Sequence, residues 1–303
     1  MTAPPRLTGV VVHWHAEAQV AELAAAWPDD PRFELLVVDN GSRVPLAAGV
    51  ARVLAPGRNL GFAGGANLGF AEARAPIVLL LNPDAVPEPG ALDRLLEGFA
   101  AWPDAAGLAP RLAGARGESQ HRWQLRRLPS PASLLLHAFF LPGSRGPAAE
   151  PPPGAPIEQP AGAALALRRE AVVGIGGLDP RFHPAWFEDV DLARRLRDHG
   201  AVLRYWPAAV FRHRLGSSVG ELGYGRFLAL YSRNLVRYLR KHHGRGWAAA
   251  ARLALGLGAC LRLLALPLRR PRRARSRREA ARGLLGLALD AVTGWRRLPP
   301  VSQ

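Results

Sequence analysis

Apolar runs closed by polar turn residues punctuate the N-terminal part of the chain. Leu35-Leu36-Val37-Val38 ends in Asp39-Asn40-Gly41-Ser42, and Ile77-Val78-Leu79-Leu80-Leu81 ends in Asn82-Pro83-Asp84. Runs apolar at every position predict strands buried on both faces, the pattern of a parallel sheet. Gly9–His13 reads as a first strand and Arg52-Val53-Leu54 as a short third one. Apolar positions at helical spacing predict helices over Glu17–Trp27, Gly64–Arg74 and Ala91–Trp102. Farther along, Gly162–Leu167 predicts a strand, with helices from near Asp189 and from near Glu221 to His243. Residues 129–160 are rich in proline and predict a long loop or lid, with a helical turn or two over Leu134–Phe140. This alternation predicts an α/β fold, a mostly parallel sheet flanked by helices. Ligands bind such sheets outside the carboxyl ends of the strands, so Asp39 and Asp84 are expected to line one crevice.

The 303 residues are enough for one large domain or two small ones. The net charge of +16 is concentrated: residues 237–303 hold 16 Lys/Arg against two acids, a balance of +14, and the preceding residues are close to neutral. Lys241 is the sole lysine. This divides the chain into an expected catalytic domain, 1–245, and a basic, amphipathic helical tail, 246–303, suited to an anionic surface. Cys260, the single cysteine, rules out an intramolecular disulfide and fits a reducing compartment. No secretory signal is expected from the N-terminal residues.

The chemistry-bearing residues exclude familiar nucleotide motifs first. His13-Trp14-His15-Ala16 follows the first strand where a dinucleotide fingerprint would place its glycines, and no P-loop sequence occurs. The glycines of Asn59-Leu60-Gly61-Phe62-Ala63-Gly64-Gly65-Ala66-Asn67 permit close backbone approach to a ligand, or form a plain loop-to-helix turn. Asn82-Pro83-Asp84 suits a diphosphate-bound Mg²⁺ or Mn²⁺, which needs one or two carboxylates, and equally suits a simple turn. Trp186-Phe187-Glu188-Asp189-Val190-Asp191 sets carboxylates beside aromatic rings, as an acceptor sugar and its general base require. Helix capping accounts for one of those acids. His213, at the end of another apolar run, reads on its own as structural.

In order and spacing these segments resemble the family-2 glycosyltransferases of the GT-A (Rossmann-like) fold, and most closely their rhamnosyltransferase-like branch. The likeness spans about residues 8–245 and is carried by Val37–Ser42, Asn59–Asn67, Leu80–Asp84, Gly176–Phe182, Phe187–Leu196, His213 with Gly216-Ser217-Ser218, and Tyr231-Ser232-Arg233-Asn234. It implies an inverting transfer of a sugar, L-rhamnose from dTDP-rhamnose, to a cell-surface polysaccharide or lipid-linked acceptor. Asp189 would be the base, with Glu188 beside it. Val12, His13, Asp39, Asn59, Gly61, Gly65, Asn67, Asn82 and Arg233 would bind the nucleotide-sugar. Trp186 and Phe187 would meet the acceptor, and Asp84 and His213 the metal. His13-Trp14-His15 departs from the family's usual Asn-Tyr-Asn, and Asn82 replaces the first Asp of Asp-x-Asp, as that branch also does.

The tail adds a location. Ala248–Leu266 is apolar but carries Arg252 and Arg262, and arginine costs about 2.5–3.5 kcal/mol at a bilayer centre. An in-plane helix is expected, followed by seven arginines within Arg269–Arg278. The expected place is the cytoplasmic face of the cell membrane, with no nucleic-acid partner. Two rival functions are a metal-dependent nucleotidyltransferase and a membrane-tethered sugar-binding scaffold.

Overall fold

A computed structural model describes residues 3–44, 46, 51–139, 141, 146–214, 223–271 and 273–295. The chain runs β1 (Leu7–His13), α1 (Glu17–Ala26), β2 (Phe33–Asp39), β3 (Arg52–Leu54), α2 (Gly61–Glu72), β4 (Ile77–Leu81), β5 (Ala85–Pro87), α3 (Ala91–Ala101) and β6 (Ala105–Ala113). There follow α4 (His121–Gln124), β7 (Leu125–Arg126), α5 (Pro131–Ala138), β8 (Pro156–Ile157), β9 (Gln159–Pro160), β10 (Ala164–Arg168) and α6 (Arg169–Gly174). Last come α7 (Glu188–Asp198), β11 (Val202–His213), α8 (Tyr224–His243), α9 (Arg245–Ala265) and α10 (Arg277–Thr293).

The main sheet has the order β3-β2-β1-β4-β10-β6-β11-β5, with β8 added beside β11. β3, β2, β1 and β4 run parallel, as their unbroken apolar runs predict. β10 enters antiparallel between β4 and β6, and β11 is again parallel to β6. Every residue of β1 and β4 is buried. One face of the sheet packs on α1 and α3 through Leu23, Trp27, Leu92, Leu95 and Phe99. The other packs on α2, α6 and α7 through Phe70, Val172, Leu192 and Leu196. Each such side chain contributes about 1.5–3 kcal/mol.

Several boundaries differ from expectation. α2 starts at Gly61 because the Asn59 side chain already accepts the Gly61 N–H at 2.8 Å. The proline-rich segment is tied down in its described parts. Its Ser130 side chain caps α5, β8 pairs with β11, and β9 pairs with β7. α8 begins at Tyr224, and Glu221 lies outside the described residues. The tail is no solvated appendage. α9 follows α8 after Gly244, whose φ of 92° makes the corner. Ala248 and Ala251 then share a core cluster with Leu235 and Tyr238 of α8, and α10 closes a second cluster with Tyr224 and Leu228. The division at 245/246 is therefore one of charge and not of packing.

Candidate active site

The sheet register assembles the site. His13 lies opposite Asp39 and Val11 opposite Leu81, so β1, β2 and β4 end along one edge. β10 runs the other way and starts at that edge. There the Asn82 N–H donates to the Ala163 carbonyl at 2.9 Å, and the Gly162 N–H to Asp189 Oδ2 at 3.2 Å. β11 ends there too, and its pairing with β5 sets His213 opposite Ala85, the residue after Asp84. Asp39, Asp84, Asp189 and His213 thus meet at one crevice although they are far apart in sequence.

Asp84 and His213 are both buried, with His213 Nε2 3.7 Å from Asp84 Oδ1. Gln120 fixes the imidazole. Its amide N–H donates to the His213 carbonyl at 2.9 Å, which turns its Oε1 to His213 Nδ1, also at 2.9 Å. Nδ1 therefore carries the hydrogen, and the Nε2 lone pair faces Asp84. Trp123 stacks on the ring with centroids 5.3 Å apart. Burial lowers the His213 pKa and Asp84 opposes that shift, so the ring is neutral at ordinary pH. A nitrogen and a carboxylate oxygen at this spacing, with the far ring nitrogen held by an amide, fit a divalent cation whose other positions go to phosphate and water. No group of three or more His, Cys, Asp or Glu placed to hold a metal occurs among the described residues, so phosphate would have to complete the shell.

The acidic cluster separates into three roles. Asp189, half-exposed, accepts the Gly162 N–H and, at 2.8 Å, the Val190 N–H. Glu188 is buried, and its Oε2 has no hydrogen-bond partner. Burial, with the Asp189 and Asp191 charges behind it, pushes its carboxyl well above the usual range and keeps it protonated. Asp191 belongs to the scaffold. It is fully buried and binds Arg195 at 2.8 Å, Lys241 at 2.6 Å and His242 at 2.7 Å. Burial opposes its ionisation, but these partners outweigh burial and lower its pKa.

The loop before α7 is strained and held from outside. Trp186 and Phe187 both have left-handed backbones, with φ of 75° and 73°. Asn234 of α8 donates its amide hydrogens to the Ala185 carbonyl at 2.8 Å and to those of Phe182 and Trp186 at 3.1 Å. Arg233 donates to the His183 carbonyl and Arg237 to the Arg181 carbonyl. Arg233 forms no salt bridge among the described residues, and burial lowers its pKa. Trp186, half-buried, meets Phe227 edge-on at 5.2 Å. Sequence reasoning missed Asn234 and Gln120. Asn234 lay inside the quoted Tyr231–Asn234 motif, whereas nothing singled out Gln120 in its polar segment.

Most of the other residues expected at the ligand have internal partners. The Val12 side chain lies in the core beneath Gly65, where a Cβ would come within 2.8 Å of Val12 Cγ1, so Gly65 admits helix against strand. His13 is fully buried. Its Nδ1 accepts the Ala16 N–H at 3.2 Å and its Nε2 donates to Ser42 Oγ at 3.0 Å, shaping the Asp39–Ser42 turn. Burial lowers its pKa, with Asp39 and Glu17 opposing. Asn40 donates to Asn59 Oδ1 at 3.0 Å and accepts the Leu60 N–H at 2.7 Å, which spends the Asn59 oxygen on the turn. Gly61, with φ of 72°, makes room for His183, whose Cδ2 a Cβ would meet at 2.6 Å. Asn67 clamps the Leu178 backbone through two bonds of 2.8 Å. Phe187 is buried against Tyr231 and Tyr238. Asp39 stays half-exposed and accepts the Ser42 N–H at 2.9 Å, and Asn82 is half-exposed at its turn. Gly216-Ser217-Ser218 lies outside the described residues.

Comparison with known proteins gives this crevice its context. Residues 17–159 match the family described as Glycosyl transferase family 2. The N-acetylglucosaminyl-diphospho-decaprenol L-rhamnosyltransferase of Mycobacterium tuberculosis is 30% identical over 86% of this chain and 92% of its own length. A pre-mycofactocin glycosyltransferase of the same species is 32% identical over 60% of this chain and 37% of its own. The fold is shared with the mannosyltransferase PcManGT of Pyrobaculum calidifontis, solved with GDP-Man and Mn²⁺, at a TM-score of 0.54 and 16% identity, covering 98% of this chain and 89% of that one. It is also shared with GalNAc-T7, solved with UDP, GalNAc and Mn²⁺, at a TM-score of 0.58 and 13% identity, covering 97% and 59%. The nucleotidyltransferase and the non-catalytic scaffold are set aside by these matches. With such identity kept along most of its length, the chain belongs to glycosyl transferase family 2 and is an enzyme that draws its sugar from a nucleotide-sugar donor.

Proposed function

We propose that the enzyme moves L-rhamnose from dTDP-rhamnose onto a saccharide carried by a polyprenyl diphosphate, with inversion, at the cytoplasmic face of the cell membrane, assisted by Mn²⁺ or Mg²⁺. The observation that carries this reading is a nitrogen–oxygen donor pair, Asp84 and His213, in one crevice with the half-exposed Asp189. The rhamnosyltransferase relative supports the sugar and the acceptor class. Asp189 receives the proton of the acceptor hydroxyl as that oxygen bonds the anomeric carbon, and the bond to the donor diphosphate breaks on the opposite face. Protonated Glu188 adds no second negative charge beside the base. A divalent cation held by Asp84 and His213 would neutralise charge on the departing diphosphate. Arg233, half-buried and without a salt bridge among the described residues, is suited to the same charge. A panel of nucleotide-sugars with Mn²⁺, scored for sugar transfer to a lipid-diphosphate saccharide, tests this. Turnover with another donor and none with dTDP-rhamnose refutes the sugar assignment.

The membrane seating rests on one face of the helical C-terminal part. Leu253, Leu257, Leu261, Leu264 and Leu268 form an exposed stripe on and just after α9, and Leu285, Leu289 and Val292 of α10, Leu136 of α5 and Phe139 just after it are exposed as well. α9 is long and apolar enough to cross a membrane, but its Ala251, Ala254, Leu255 and Ala259 are buried in its own protein. A helix covered on one side and apolar on the other lies in the interface plane, with the Arg269–Arg278 run at the headgroups. The full chain is expected to bind anionic vesicles less tightly as salt rises. Failure to bind vesicles, or binding of RNA or DNA instead, overturns this seating.

A further inference from the structure

α4 is a single turn, and a helix that short does not hold itself in place. Within the turn, the Gln120 carbonyl accepts the Trp123 N–H at 2.9 Å and the Gln124 N–H at 2.8 Å. A side-chain clamp supplies the rest. Gln124 is fully buried; its amide donates to the Pro110 carbonyl at 2.6 Å and its Oε1 accepts the Leu112 N–H at 3.2 Å, which fastens the turn to β6. From that anchorage the turn reaches both halves of the crevice. On one side Gln120 and Trp123 hold the His213 ring. On the other, the Gln124 main-chain carbonyl accepts the Ala161 N–H at 2.8 Å. The next two residues carry the link onward. The Gly162 N–H donates to Asp189 Oδ2 at 3.2 Å, and the Ala163 carbonyl accepts the N–H of Asn82, two residues before Asp84. Asp189 also packs directly on Gly162, where a Cβ would lie 3.4 Å from the Asp189 Cβ. The path from His213 to Asp189 therefore runs through Gln124 along covalent and hydrogen bonds.

We propose that Gln124 is a positioning residue for both halves of the site: one buried amide keeps the metal-side imidazole in place and aims the proton-accepting carboxylate. This rests on the reading above, in which Asp84 and His213 hold the cation and Asp189 is the base. Gln124 acts on both through the turn that it clamps. Partners that orient a metal ligand tune the affinity of the site, and a misplacement of a reacting group by about 1 Å costs about 10²-fold in rate. Freeing α4 from β6 releases Gln120 and the Ala161–Gly162 link together. Metal-dependent donor affinity and turnover should therefore fall together in a Gln124 variant, whereas loss of the Asp189 carboxylate lowers turnover alone.

The probe is dTDP, or the nucleoside diphosphate of whichever donor the panel above turns over, titrated by calorimetry into the full chain with and without Mn²⁺. Turnover at saturating Mn²⁺ and donor is measured on the same samples and expressed per nucleotide-binding site, so unfolded protein does not count. Gln124→Met keeps the length and removes both hydrogen bonds. It should lose about tenfold or more of the Mn²⁺ enhancement of nucleotide affinity, and about tenfold or more of turnover per site. Gln124→Asn keeps the amide but falls one methylene short of Pro110 and Leu112. It should show the same paired loss at smaller size, and it carries the test if Gln124→Met folds poorly. A Gln124 with a merely structural role would lower the number of binding sites and leave affinity and turnover per site at wild-type values. That result, or a fall in one quantity without the other, overturns the proposal. Wild-type nucleotide affinity that ignores Mn²⁺ overturns the metal reading and the bridge with it. A wild type that responds to Mn²⁺ beside Gln124 variants that respond equally overturns the bridge alone.

Discussion

Replacing Glu188 by Gln should change how stability depends on pH more than it changes stability itself. The Glu188 carboxyl is buried, lacks a partner at Oε2 and is held protonated well above its ordinary value of 4.5. In the unfolded chain it ionises near that value. Between there and its folded pKa, the folded protein holds one proton more than the unfolded chain. Stability then falls as pH rises, with a limiting slope of about 1.4 kcal/mol per pH unit, and levels off above the folded pKa. Gln cannot titrate, so that slope disappears from the variant. Its extra N–H donors add an offset of about 1–3 kcal/mol if they stay unpaired, and that offset does not depend on pH. Urea denaturation of both proteins from about pH 4 to about pH 8 gives a difference curve in which every other titration cancels. The variant should gain on wild type as pH rises. Adding Asp189→Asn to both should shorten the window, because the Asp189 charge raises the Glu188 pKa. Parallel stability curves across the range would refute a protonated Glu188.

Asp189→Asn should lower turnover about 10²–10⁴-fold with donor affinity nearly intact, measured by steady-state transfer and donor titration, whereas Glu188→Gln should keep substantial turnover. Gln120→Leu releases the His213 ring and should weaken Mn²⁺-dependent donor binding about 10–100-fold, read by titration with and without metal. Asp191→Asn leaves Arg195, Lys241 and His242 around a neutral amide and should destabilise by about 3–5 kcal/mol in denaturant melts.

The parts of the fold that announced themselves were those with a strong local period. β2 and β4 carry unbroken branched apolar runs into polar stops, and α3 and α7 alternate faces cleanly, so strand-end Asp39 and Asp84 and helix-start Asp189 were legible. β6 was not: Ala105–Ala113 mixes Ala, Gly and Pro, and its place is set by long-range pairing with β10 and β11. The antiparallel entry of β10 is equally invisible locally, yet it brings Gly162 to Asp189. Asparagines and glycines are ambiguous for a shared reason. Close approach and amide bonding serve a ligand or the fold with the same residues, and Asn59, Asn67, Gly61 and Gly65 serve the fold. The tail's charge was plain, but its docking depended on alanines of α9 meeting α8, a small-residue match that no charge count reveals.

α8 grips the loop carrying Trp186 through Asn234 and Arg233, and it is also the bed on which α9 and α10 rest. One helix therefore connects the loop that leads into Asp189 to the leucine-faced platform. If that platform floats at the lipid surface, the height of Asp189 above the bilayer is a fixed dimension of the protein, and α8 acts as a ruler. An acceptor would then be selected by how far its hydroxyl stands from its anchor as well as by its shape. A longer saccharide would overshoot the base, and a growing chain would leave the enzyme's reach after its own sugar had been added.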